Sequence, residues 1–167
     1  MFVFLGLVSP FAQAAPGLAG RWELVPQRSS ALNFWTTMLL DISVDGTKVQ
    51  LTRTLSSPSE HASTQEVFNL DTTKNDNVCP ISWYADNRYM GLYIGGDGAK
   101  HIRASWLDNG RTLRLDANLV VNAQQGARPI NILSDYKLSA NGAELTLIET
   151  RSARMTPFVY VFTRKTD

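Results

Sequence analysis

Apolar side chains return at every second position along most of this chain. Met38, Leu40, Ile42 and Val44 share one parity between Thr36 and Val44, and Val49, Leu51 and Leu55 share one between Lys48 and Leu55. Ser63 to Leu70 groups Phe68 with Leu70, and Lys100 to Leu107 groups Ile102, Ala104 and Trp106. Arg111 to Val121 alternates through Leu113, Leu115, Ala117, Leu119 and Val121, and Ile130, Ile132, Tyr136 and Leu138 continue the pattern. Leu145 with Leu147 leads to a closing run from Phe158 to Lys165. Successive side chains of a strand point to opposite faces, so each segment predicts a strand with one dry and one wet face, the mark of antiparallel sheet. Helical periodicity is almost absent.

Asp45-Gly46, Asn109-Gly110 and Asn141-Gly142 predict tight reversals between these strands. The segment from Val78 to Ile94 reads as one bent strand or two short ones. If it supplies one, the count is ten, and an even count lets the first and last strands pair antiparallel. The pattern therefore predicts an all-β fold, an antiparallel up-and-down β-barrel of about eight to ten strands. The tight turns fall at one end. The longer connections, 26–35, 56–62, 95–99, 122–128 and 151–157, fall at the other, where such barrels bind.

Of the 167 residues, 44% are apolar and 19% charged, which suits a single domain with a real core. Sixteen basic residues oppose fifteen acidic ones, and no block of like charge could track a phosphate backbone, so nucleic acid is not an expected partner. Residues 1–14, MFVFLGLVSPFAQA, end in the small-x-small triplet Ala12-Gln13-Ala14 and read as a secretion signal, leaving a domain over 15–167. Met1-Phe2-Val3 carries neither the Lys nor the Arg with which a secretion signal opens, so the start codon is expected upstream; a buried N-terminal strand is the competing reading. The stretch is short for a membrane span, which takes roughly 20 residues, and Pro10 interrupts it. The expected location is periplasmic or extracellular.

Cys79 is the only cysteine, so no intramolecular disulfide forms, and it reads as a small buried hydrophobe rather than a reactive thiol. His61 and His101 lack neighbours at metal-ligand spacing, and the expectation is no metal and no cofactor. Gly95-Gly96-Asp97-Gly98 has the composition of a phosphate-binding loop, but no helix follows it, and it reads as a hairpin connection.

Gly20-x-Trp22 with Leu24, Pro26 and Ser29, together with the closing stretches Leu138 to Leu147 and Val161 to Arg164, resembles the lipocalin-like domains of exported bacterial proteins, a branch of the calycins. The resemblance covers most of residues 18–165 through short motifs. It implies that Trp22 of the first strand packs on Arg164 near the chain's end to close the base of the barrel. It also implies a small, largely apolar or amphipathic ligand in a loop-rimmed cup.

Parity exposes charged residues on apolar faces: Arg53 with Val49 and Leu51, Glu66 with Phe68 and Leu70, Glu149 with Leu145 and Leu147. Arg53 and Glu66 flank the 56–62 loop at nearly opposite positions. They read either as a half-solvated rim salt bridge or as a site where Arg53 meets a ligand's acidic head. A one-residue slip would turn both outward. Phe34, Trp35, Trp83, Tyr84, Trp106 and Tyr136 are the aromatics that either touch a ligand or fill the core, with Trp35 placed to act as a lid. Arg53, Glu66, Trp35, Trp106 and Tyr136 are the candidate ligand contacts. The alternative is a solid barrel whose outer surface contacts another protein or the cell envelope. An enzyme would need His61 or His101 to converge with Glu60, Glu66 or Asp97. The sequence leaves the oligomeric state open.

Overall fold

In the structure, a computed structural model that describes residues 17–81 and 93–165, the alternation of the sequence becomes strand pairing. The strands are β1 (Gly20–Leu24), β2 (Thr37–Asp45), β3 (Lys48–Ser57), β4 (Ala62–Asp71), β5 (Asn77–Pro80), β6 (Tyr93–Ile94), β7 (Ala99–Leu107), β8 (Thr112–Ala123), β9 (Gly126–Leu138), β10 (Glu144–Arg151) and β11 (Phe158–Arg164). They lie in the order β4-β3-β2-β1-β11-β10-β9-β8-β7-β5, and every pairing is antiparallel. β1 pairs with both β2 and β11, so the two ends of the barrel sequence are neighbours, as an even strand count requires. The result is a ten-stranded, nearly closed up-and-down barrel, because β6 and β7 pair with consecutive lengths of β8 and act as one interrupted strand.

Gly95–Gly98 is therefore not the hairpin connection that composition predicts. It is a four-residue excursion from a strand that resumes at Ala99. A second difference concerns 122–128, expected as a long loop. β8 and β9 instead stay paired until Ala123 faces Gly126, and only two residues turn the chain. Residues 126–129 are all exposed, so this end of the hairpin has no buried face and leaves no alternation to read. Residues 1–14 and the pair Trp83 and Tyr84 lie outside the described residues.

Between β4 and β5 the barrel closes through side chains. Asn77 accepts from the Asp71 amide at 2.7 Å and donates to the Ile102 carbonyl at 2.9 Å, lacing β5 to both neighbours. Such a buried amide contributes only when its groups are satisfied, as here. At the end carrying the tight turns, Trp22 is fully buried and its indole donates to the Leu18 carbonyl at 3.0 Å. Arg164, directly opposite Trp22 in the β1–β11 ladder, places its guanidinium 4.2 Å from the indole ring centre. The same guanidinium donates to the Ala19 and Gly17 carbonyls, tying down the chain ahead of β1. Gly20 makes this possible: its φ is +136°, and a Cβ there would strike the Arg164 guanidinium.

Candidate functional site

The interior toward the loop-bearing end is charged. On β3, Arg53 follows the alternation of Val49, Leu51 and Leu55 and so points inward, directly opposite Glu66 on β4. Its Nε donates to Glu66 Oε2 at 2.9 Å, and its Nη2 donates to the same oxygen. Lys100, near the start of β7, donates from Nζ to Glu66 Oε1 at 2.8 Å. Across the lumen, Arg53 Nη1 lies 3.5 Å from Glu149 Oε2 on β10. Arg151, two residues further along β10 and on the same face, donates to Glu149 Oε1 from Nε at 2.7 Å and also from Nη2.

Lys100, Glu66, Arg53, Glu149 and Arg151 thus form a chain of alternating sign. Their exposures are 5, 7, 8, 3 and 7%. Burying an isolated charge costs several kcal/mol, and the alternation offsets this by setting each carboxylate between two cations. Burial alone would raise the Glu66 carboxyl, but Arg53 and Lys100 outweigh it and hold the group at about 2. Burial likewise opposes ionisation of Glu149, and Arg151 with Arg53 keeps it below the usual carboxylate range.

The five charged residues line a cavity with Phe68, Ile102, Leu115, Ala117 and Ile132 as apolar walls and Ser134 and Tyr136 as hydroxyl donors. The cavity gives the centre of a water molecule about 30 Å³. One water position takes roughly 10–15 Å³ on this measure, so the space is that of two or three waters. Tyr136 is 2% exposed, and its hydroxyl has no hydrogen-bond partner among the described residues. Burial pushes the phenol upward, nearby Glu149 and Glu66 push the same way, and Arg53 only partly opposes them. Tyr136 therefore keeps its proton and remains a donor. Lys100 packs over the Phe68 ring at 5.0 Å and uses one N–H on Glu66. Among the described residues no acceptor meets the other two.

Of the side chains singled out in the sequence, Arg53, Glu66 and Tyr136 meet at this cavity. The Arg53–Glu66 pair is buried in the lumen, where a half-solvated rim bridge was the simpler expectation. Trp35 is buried in the core, edge-on to Phe34 at 4.9 Å, and Trp106 is half-buried beside the Asp108–Gly110 turn at the far end of β7; neither lines the cavity. Lys100 and Arg151 are members that sequence reasoning missed. The signal was present: Lys100 shares parity with Ile102, and Arg151 with Leu147 and Glu149.

His101 faces outward, with Nδ1 2.9 Å from Asp76 Oδ2 and Nε2 2.8 Å from Asp97 Oδ2. It does meet Asp97, but away from the cavity, and both ring nitrogens are engaged. His61 is exposed in a left-handed turn. Cys79 is buried, which raises its thiol above the ordinary value. Among the described residues, no group of three or more His, Cys, Asp or Glu side chains could hold a metal ion. No helix among them is long and apolar enough to cross a membrane. Compared with family models, with curated proteins and with solved structures, the chain matches none.

Proposed function

We propose that this protein is an exported, lipocalin-like barrel that binds a small amphipathic molecule, with the polar head of that molecule buried at the Arg53–Glu66–Glu149 cluster. One observation carries the reading: a cavity in which an apolar wall meets buried, hydrogen-bond-capable charge, the usual composition of a small-molecule site. Its size limits the buried part to a head group, and the rest of the molecule lies toward the loop-bearing end. The first and last strands, through Gly20-Arg21-Trp22 and Val161 to Arg164, support the lipocalin-like assignment by the Trp22–Arg164 stack.

The same small volume favours a second reading, a solid barrel that acts through its outer surface. Native mass spectrometry of the full chain, purified without denaturation and exposed to cell extract and lipid mixtures, separates the two. A binding barrel shows a reproducible adduct that disappears in Ala117→Leu, whose longer side chain fills the cavity. A bare mass under all these conditions overturns the binding reading in favour of the interaction module.

A further inference from the structure

We infer that the cavity takes the carboxylate of a small monocarboxylic acid, received by the Lys100 ammonium and the Tyr136 hydroxyl. This rests on the binding reading above and names its ligand class. Nearly every buried polar group in a folded protein finds a partner. Here a buried phenol hydroxyl and two N–H bonds of a buried ammonium border one cavity and find no acceptor among the described residues. All three are donors. The complement is therefore an acceptor-only group, and an ionised one makes the shorter, stronger charge-assisted bonds.

Shape narrows the class further. Two or three water positions suit a planar group with two oxygens on one carbon, whereas a tetrahedral phosphate needs more room and more donors. Glu66 and Glu149 would repel an anion if bare, but each already lies between two cations. Phe68, Leu115 and Ile132 complete the walls, and they accept a short alkyl group rather than a second polar one. The donors also come from different strands, β7 and β9, so only the assembled barrel sets their spacing.

The test is calorimetric titration of the full chain with acetate, butyrate and hexanoate, beside acetamide and inorganic phosphate at equal ionic strength. A carboxylate should bind at least tenfold more tightly than acetamide or phosphate. Tyr136→Phe, which deletes one oxygen and keeps the ring, should weaken that binding about tenfold, the worth of one hydrogen bond of this kind. Lys100→Met should weaken it more. Equal binding of acetamide, or carboxylate binding unchanged in both variants, overturns the inference. If no carboxylate binds while native mass spectrometry still finds an adduct sensitive to Ala117→Leu, the carboxylate class is wrong and the binding barrel stands. If neither assay finds a ligand, both readings fall.

Discussion

Glu66→Gln is the sharpest probe of the buried ion chain, because it removes one charge and almost no volume. In the native protein Arg53 and Lys100 hold the Glu66 carboxyl at about 2 against the pull of burial, and its ordinary value is 4.5. A folded-state value below the unfolded one means stability that is complete above the unfolded value and is lost as pH falls toward the folded one. At about 1.4 kcal/mol per unit, the difference amounts to about 3 kcal/mol near neutral pH. That agrees with the roughly 3–5 kcal/mol lost when one partner of a buried pair is deleted. By pH 3 the native carboxyl has already forfeited most of this advantage, and only about 1 kcal/mol remains. Urea unfolding followed by tryptophan fluorescence at pH 7, 5 and 3 measures both quantities. The variant should be about 3 kcal/mol weaker than the native protein at pH 7 and about 1 kcal/mol weaker at pH 3, with an unchanged denaturant slope. The difference between the two proteins cancels the titration of Glu149 and the surface carboxylates to first order. A loss below about 1 kcal/mol at pH 7, or a difference that stays constant down to pH 3, would refute the electrostatic account.

Tyr136→Phe should raise the thermal stability of the ligand-free protein by about 1 kcal/mol, since it deletes a buried hydroxyl that lacks a partner; a loss of that size would mean the hydroxyl is satisfied. Trp22→Ala should cost roughly 3–5 kcal/mol in urea unfolding, and Arg164→Met roughly 0.5–2 kcal/mol, because the first empties the base of the barrel and the second removes the stacked cation and its exposed hydrogen bonds to the Ala19 and Gly17 carbonyls. An Arg164→Met variant that loses as much as Trp22→Ala would show that the guanidinium's carbonyl contacts dominate instead. The His101 imidazole, bonded to Asp76 and Asp97, should titrate by NMR with a midpoint above 6.5, and Asp97→Asn should lower it. Its contribution to stability is present below pH 6.5 and fades as pH rises through the folded midpoint, and a midpoint at or below 6.5 rules out the bridge in solution.

Much of this architecture was legible along the chain because the period of a strand is two and is therefore local. The parity that buries Met38, Leu40 and Ile42 also turns Arg53, Glu66 and Glu149 inward, and the same rule, carried one step further, reaches Lys100 and Arg151. Turn chemistry placed the reversals at Gly46 and Gly142, where φ is positive. It failed at Gly95–Gly98, since glycines bend a strand's excursion as readily as they end a hairpin. Pattern also missed the outer part of the β8–β9 hairpin, which buries nothing. What parity could not supply was distance. Arg53 and Glu149 lie on strands separated by three others in the sheet, and they meet at 3.5 Å only because the sheet curls and closes across the lumen. Closure, strand tilt and register belong to the whole barrel rather than to any segment of it. An inward charge is thus written in the sequence, but whether it ends at a wet rim or beside a buried opposite charge is decided by which strands the closed barrel brings face to face.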